Sequence, residues 1–365
     1  MNPNRRDLLK AAAVVAGACR LTADNSPAFR FPTEPRDRLA VASYPFRAYI
    51  DSPRRRGPKP AEPLMDLKDF PAMVVKHFNI RNVELLGEHF RSTEPDYLAE
   101  LREALRAAHA RVVDIPTGIG GSVYDPDPTR RATAVTNAQR WIDAAAFLQS
   151  PSVRVHLERP RVTPASGAGN LSAGSNPVGT LIAGVSSVTV AGPGGPASQG
   201  GVTALPAGGP INNMGTLGPA AEADPGLAAQ TLARIAAYGA SQNVVVTLEN
   251  DDPVTEDAFF LAKVIDLANT PWLRALPDFC NSMLKGDEDF NYRAVAAMFQ
   301  RAYSIAHTKD VEVDHGKIFR VDLKRTYGIA QAAGYKGYFS MEFEGQSDPY
   351  EGTLKLLDAS LQYLA

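Results

Sequence analysis

Cysteine is nearly absent from this sequence, since Cys19 and Cys280 are the only two among 365 residues. Two cysteines so far apart do not form the framework of paired cysteines that holds small secreted domains together. No apolar run after residue 23 approaches the ~20 residues needed to span a bilayer, so the sequence predicts no transmembrane span. Positive charge is not in excess either, because 38 Lys and Arg stand against 40 Asp and Glu, for a net charge of −2. Duplex binding requires a basic face, so the composition predicts no nucleic-acid partner.

Residues 1–23 are predicted to be an export signal. Arg5 and Arg6 precede a short, weakly apolar, alanine-rich stretch that ends in small residues up to Ala18. This pattern resembles a twin-arginine signal, which carries folded proteins across the bacterial inner membrane. We therefore expect an exported, periplasmic protein. Cleavage after Ala18 would make Cys19 the first residue and a candidate for lipid attachment, although Ala16 stands where a lipoprotein signal usually has a larger aliphatic residue.

From Leu39 onward the sequence alternates strand-like and helix-like segments. The content of 44% apolar and 21% charged residues is that of a soluble globular protein. Eight strand-like runs, the first being LAVASYPF, are each followed by a segment with helical periodicity, and the seventh helix is predicted over Phe319 to Ala333. Such alternation implies parallel strands with right-handed crossovers. We predict an α/β fold class, a (β/α)8 TIM barrel over residues 39–365, a fold that reaches this length with insertions.

Residues 159–225 are predicted to be an insertion within the barrel, after strand four. From Val162 to Ala221 the sequence has no Asp, Glu, Lys, Arg or His, and Gly, Ala, Pro and Ser dominate. A loop that follows a barrel strand emerges on the catalytic face, so this Gly/Ala/Pro/Ser-rich insertion could fold over the site as a lid. A flexible low-complexity segment explains the same composition. Both interpretations stay open.

Four residues with metal-binding side chains end consecutive strand-like runs, at intervals of about thirty residues. They are Glu249, Asp278, His307 and Glu342, at the ends of NVVVTLE, LRALPD, RAYSIAH and GYFSME. This interval is the length of one strand and helix in a barrel of typically ~250 residues, so the four side chains should meet at the catalytic end. Three carboxylates and one imidazole predict a single divalent metal ion, with Mn²⁺ or Mg²⁺ favoured and Co²⁺ or Zn²⁺ also compatible.

The alternation within two strands predicts a polar barrel interior. In NVVVTLE the apolar side chains share one face, and Glu249 lies on the other. The same alternation in PSVRVHLE directs Arg154, His156 and Glu158 inward. His156 and Glu84 are therefore candidate substrate-binding residues, with hydrogen-bonded interior polar groups as the alternative.

The motifs LEND, PDFCN, IAHTKD and GYFSMEFEG, in this order, resemble the sugar phosphate isomerase/epimerase family, whose members have a xylose isomerase-like barrel. The resemblance covers Leu39 to Ala365 apart from the insertion. It implies that the four residues above are the metal ligands. It also implies that Glu249 and Glu342 are catalytic and exchange protons with the substrate through a metal-stabilised enediolate.

Two positions depart from the family pattern. Asn281 stands three residues after Asp278, where ketose 3-epimerases have a histidine, and Val313 stands six after His307, where they have an arginine. These departures put the substrate in question. Asn281 and Lys309 remain candidate substrate-binding residues, and for Lys309 a surface pair with the next residue is the alternative.

Three functions are compatible with these observations. The first is a metal-dependent sugar isomerase or epimerase that removes a proton next to a carbonyl. The second is a metal-dependent lyase or hydrolase of keto-sugars or glycosides that uses the same site. The third is a non-catalytic carbohydrate-binding barrel. Each predicts a small-molecule carbohydrate as the partner, and the oligomeric state stays open, a homo-oligomer included.

Overall fold

The computed structural model describes residues 26–53, 64–160, 223–252 and 255–364. The predicted export signal and residues 161–222 of the predicted insertion lie outside this part of the chain. Within it, no helix is both long and apolar enough to cross a membrane.

Eight short parallel strands form the centre of the molecule. Their bounds are Leu39–Ala42 (β1), Asn82–Glu84 (β2), Arg111–Asp114 continued by Pro116–Thr117 (β3), Ser152–Val155 (β4), Val245–Glu249 (β5), Leu273–Leu276 (β6), Ile305–Thr308 (β7) and Tyr338–Met341 (β8). One sheet has the order β3-β2-β1-β8-β7, and the continuation of β3 pairs with β4 in a second sheet that runs on through β5 to β6. Bridges between Ala275 and Ala302 and between Asp278 and His307 connect β6 to β7. Each strand therefore neighbours the strands before and after it, and the predicted (β/α)8 barrel is confirmed.

Eight α-helices alternate with these strands within the described residues. Their bounds are Phe70–Phe78 (α1), Pro95–Ala107 (α2), Pro128–Leu148 (α3), Pro225–Gln242 (α4), Ala258–Ala268 (α5), Glu288–Phe299 (α6), Leu323–Ala332 (α7) and Pro349–Leu364 (α8). Five of them begin after an aspartate whose carboxylate accepts a backbone N–H of the first turn, namely Asp127, Asp224, Asp257, Asp287 and Asp322. These caps satisfy donors that the first turn otherwise leaves unpaired, so they fix where each helix starts.

The helix predicted over Phe319 to Ala333 starts later than expected. Val311–Asp314 and Lys317–Arg320 form an antiparallel hairpin instead. His315 and Gly316 connect its strands, and both have positive φ, which is the backbone conformation that a two-residue hairpin turn requires. The prediction was wrong here because Phe319 and its neighbours fit a helical apolar pattern. The preceding turn instead reverses the chain, so that these residues pair with the first strand of the hairpin.

The barrel interior has an apolar layer below a polar one. Ile305 and Tyr338 are buried in a small cluster with other interior side chains, and they precede His307 and Ser340 by two residues. Side chains two apart on a strand share a face, so the apolar cluster lies on the same face, beneath the polar residues. The larger apolar core contains buried side chains of both strands and helices. The polar side chains above this cluster accordingly lie toward the carboxyl ends of the strands, where loops leave the barrel.

Candidate metal and catalytic site

The fold brings the four predicted metal ligands together. Glu249 ends β5, Asp278 follows β6 by two residues, His307 lies in β7, and Glu342 follows β8 directly. One ligand atom of each lies within 4.8 Å of the others, and all four residues are buried. Carboxyl ends of parallel strands meet at one end of the barrel, which is why residues nearly a hundred positions apart converge.

His307 is held by carboxylates on both sides of its ring. Its Nε2 lies 2.7 Å from Glu84 Oε1, and its Nδ1 lies 2.8 Å from Glu249 Oε1 and 3.3 Å from Glu342 Oε2. A carboxylate on one ring nitrogen fixes the tautomer and orientation of a metal-binding histidine. Glu84, predicted as a substrate-binding residue, therefore lies in the site, and its described side-chain contact is with His307.

Asp278 has one oxygen that accepts hydrogen bonds and one, Oδ2, that accepts none, with the Lys309 ammonium 3.7 Å away. Its Oδ1 accepts backbone N–H groups of Cys280, at 2.8 Å, and of Asn281, at 2.6 Å. Its Oδ2 is buried and has no hydrogen-bond donor. Burial raises the pKa of Asp278 to about 7, with the neighbouring carboxylate of Glu249 adding to the rise. A buried acceptor without a donor is uncommon, and a cation would satisfy it, so the residues present fit a divalent metal ion.

Glu249 contacts a buried guanidinium. Arg154 Nη2 lies 3.0 Å from Glu249 Oε2, and the two side chains are 3% and 4% exposed. Asn281 donates from Nδ2 to Glu249 Oε1 at 3.3 Å. Asn281 was predicted to bind substrate, and its described side-chain partners are Glu249 and Lys309.

Lys309 is buried among acceptors, so the surface pair considered for it is wrong. Its Nζ donates to Asn281 Oδ1 and Glu344 Oε1, both at 2.8 Å, and to Glu312 Oε2 at 3.2 Å. Glu342 Oε2 lies 3.3 Å away. Burial alone would lower the pKa of Lys309, but the surrounding carboxylates raise it well above its ordinary value. The ammonium group therefore remains charged and holds this side of the site together.

The charges at the site depend on one another. Burial alone would lower the pKa of His307, but Glu249, Glu84 and Glu342 raise it well above its ordinary value. Burial alone would raise the pKa of Glu342, but His307 and Lys309 lower it below its ordinary range. The carboxylates thus favour the protonated imidazole in the metal-free protein, and its charge offsets part of theirs. A metal ion would take the place of the Nδ1 proton, since ligands must lose their protons on binding.

A second group surrounds Arg154 at the side of the site. Ligand atoms of His156, Asp251 and Glu256 lie within 4.8 Å of one another. Arg154 Nη2 lies 2.8 Å from Asp251 Oδ2 and 3.5 Å from Glu256 Oε2, and its Nη1 contacts His156 Nε2. The guanidinium pairs with both carboxylates, so the group forms an ion-pair network. His156, predicted to bind substrate, is about one third exposed here.

Several residues of the site were missed as candidates. Glu344 follows Glu342 by two residues and Asp251 follows Glu249 by two, so the alternation that directed Glu249 inward could have indicated both. Glu312 lies in the hairpin that the sequence did not predict.

Cys280 is fully buried, and burial raises the pKa of its thiol, so it is not a reactive nucleophile.

Comparison with known proteins supports this fold. The sequence model of the xylose isomerase-like TIM barrel matches residues 202–364. No curated protein matches the sequence significantly. The structure of D-allulose 3-epimerase from Methylomonas sp. has 11% identity and a TM-score of 0.56, and covers 92% of this chain and 100% of its own.

Two further structures are similar. The probable 3-DHS dehydratase involved in petrobactin synthesis from Bacillus anthracis has 10% identity and a TM-score of 0.55, and covers 88% of this chain and 97% of its own. The 3-keto-D-glucoside 4-epimerase from E. coli has 12% identity and a TM-score of 0.53, and the match covers 90% of this chain and 98% of the epimerase chain. At such identities the similarity establishes the fold alone.

Proposed function

We propose that this protein, whose residues 202–364 match the sequence model of the xylose isomerase-like TIM barrel, is a divalent-metal-dependent enzyme of the sugar isomerase/epimerase type. Its substrate would be a small carbohydrate with a carbonyl group, from which the enzyme removes the proton on a neighbouring carbon. The observation that carries the proposal is the convergence of Glu249, Asp278, His307 and Glu342 within 4.8 Å at the carboxyl ends of the strands.

Bound there, a divalent ion would stabilise negative charge on the carbonyl oxygen of the substrate. Removal of a proton from carbon needs a carboxylate close to the same position, and Glu249 and Glu342 are the candidates. Asp278 and His307 hold the ligand geometry through their fixed hydrogen bonds. Arg154 and Lys309 are buried cations, and each holds the acidic side chains on one side of the site in place.

The similar structures agree with this chemistry without identifying the substrate. Two of them are described as epimerases, of D-allulose and of a 3-keto-D-glucoside. The third is described as a probable dehydratase. A lyase is therefore the second candidate, because the same proton removal next to a carbonyl precedes loss of a leaving group. If the twin-arginine signal acts as its sequence suggests, the enzyme meets its substrate in the periplasm.

Exchange with solvent deuterium tests the proposal. Purified protein would be loaded with Mn²⁺ and incubated in D₂O with a panel of keto-sugars and keto-glycosides, and the labelled carbons followed by NMR. We expect deuterium at a carbon next to the carbonyl, and no labelling after chelation. Isomers or epimers identify the first function, whereas an unsaturated product identifies the lyase. Binding without exchange anywhere in the panel would leave only a carbohydrate-binding barrel.

A further inference from the structure

The two candidate carboxylates are not equivalent. Both oxygens of Glu249 are occupied, Oε1 by His307 and Asn281 and Oε2 by Arg154 at 3.0 Å. The guanidinium is itself fixed by Asp251 at 2.8 Å. Because both residues are almost fully buried, separating them would break a buried ion pair, which is costly.

Glu342 has a different environment. Both of its described contacts are made by Oε2, which lies 3.3 Å from His307 Nδ1 and 3.3 Å from Lys309 Nζ. No described residue donates a hydrogen bond to its Oε1. Its side chain is 12% exposed, against 4% for Glu249, 2% for His307 and 0% for Asp278. Glu342 thus has the largest exposed fraction of the four ligand-type residues, and its Oε1 is the oxygen that can approach a substrate.

We infer that Arg154 makes proton transfer at this site one-sided: Glu342 exchanges the proton with the substrate, and Glu249 is held by Arg154 as a ligand. The inference rests on the proposed function and narrows it. In this scheme Arg154 is a positioning residue, since it acts through Glu249 and contacts no reacting atom.

The step can be written in full. The C–H bond next to the carbonyl breaks, a bond between Glu342 Oε1 and the proton forms, and the electron pair moves into the enediolate. The proton on Glu342 exchanges with solvent, and transfer of a solvent-derived proton back to the same carbon and face restores the starting sugar. Delivery to the former carbonyl carbon, with the hydroxyl proton passing to the other oxygen, gives the isomer. Inversion needs a second carboxylate on the opposite face, so we expect isomerisation or exchange without epimerisation.

Labelling by the wild-type protein tests this directly. Mn²⁺-loaded enzyme would be incubated in D₂O with D-fructose, D-allulose and methyl 3-keto-β-D-glucoside. One-sided transfer places deuterium in the recovered sugar or its isomer and forms no epimer. An epimer that carries deuterium, with the recovered sugar unlabelled, would overturn the inference and leave the proposed function intact. Absence of exchange in all three overturns both.

Two variants separate the roles of the carboxylates. With bound Mn²⁺ verified by direct titration, Glu342→Gln should lower the exchange rate by about 10²-fold or more. Glu249→Gln removes a ligand, so we expect it to weaken Mn²⁺ binding and, once metal is saturating, to lower the exchange rate less than Glu342→Gln does. An equally deep loss in Glu249→Gln with metal bound contradicts the inference.

Variants of Arg154 test the positioning role. Arg154→Met frees Glu249 Oε2 and should introduce a labelled epimer. Arg154→Lys keeps a cation at this position and should give less of the labelled epimer than Arg154→Met. A purely structural role would lower the rate and the melting temperature and leave the labelling pattern unchanged. If Arg154→Met does not fold, the folded Lys variant decides: a labelling pattern identical to wild type would remove Arg154 from the scheme.

Discussion

Glu84 and His307 form a buried pair that links β2 to β7, with Oε1 2.7 Å from Nε2 and side chains only 1% and 2% exposed. The residues are 223 positions apart. The pair leaves Nδ1 facing Glu249 and Glu342, which is the orientation a ligand needs. The geometry of the metal site thus depends on a carboxylate outside the ligand group.

We predict that Glu84→Ala lowers metal affinity by about 10- to 100-fold, the usual cost of losing such a partner. Glu84→Gln keeps an acceptor for Nε2 and should cost less. Isothermal titration with Mn²⁺ measures both. Glu312→Gln is the matched control, because Glu312 is also buried but bonds Lys309 and not His307. Equal affinities in Glu84→Ala and the control would contradict the role of Glu84.

The second prediction concerns pH and Asp278. Its pKa in the folded protein, about 7, lies above the ordinary 3.8, so burial disfavours the anion. A raised pKa contributes stability that is present below the unfolded value and lost as pH rises through the folded one. The metal-free protein should therefore lose stability between about pH 4 and about pH 7. Asp278→Asn should reduce this slope in urea unfolding, and an unchanged slope would assign it to other groups.

Metal should also stabilise the protein. Binding to the folded state alone contributes about 2.7 kcal/mol at a free metal concentration of 100 times Kd. We expect the melting temperature to rise with Mn²⁺ or Mg²⁺ and to fall again with chelator. Asp278→Asn provides the control, since it removes one ligand and keeps the acceptor for the two backbone N–H groups. A similar rise in this variant would place the metal elsewhere.

Removal of the buried ammonium group of Lys309 should lower the free energy of unfolding substantially. Lys309→Met leaves Glu312 and Glu344 without their shared cation, and breaking a buried pair typically costs about 3–5 kcal/mol. Lys285→Met removes a 39% exposed ammonium paired with Asp257 and should cost about 0–1 kcal/mol. Urea unfolding compares the two. Similar losses would mean that the cluster around Lys309 contributes no more than a surface pair.

The last prediction concerns the insertion and rests on sequence. Deleting Thr163 to Ala221 should spare stability, because the segment has no charged and few large apolar residues, and loop length enters closure entropy only logarithmically. A lid predicts a higher KM or lower kcat at nearly constant melting temperature. Unchanged kinetics would favour a passive linker. A large fall in melting temperature would show that the segment packs as part of the fold.

The sequence was sufficient for the barrel and for the group of four ligand-type residues. Strand and helix periodicities are local, and a polar residue at the end of each apolar run marks the carboxyl end of a strand. Glu249, Asp278, His307 and Glu342 could therefore be assigned to one place before any contact was known. The hairpin at Val311 could not, because its strands depend on a turn with positive φ at two residues.

The sequence by itself determined which side chains reach the catalytic end, and the tertiary structure decided what each one does there. Alternation directs Glu84 and Arg154 inward, but it does not say that one bonds His307 and the other Glu249. Lys309 shows the same limit, since its pattern fits a surface pair and its position is buried. These contacts depend on how neighbouring strands are staggered and which rotamers fit the closed interior, and no local pattern carries that information.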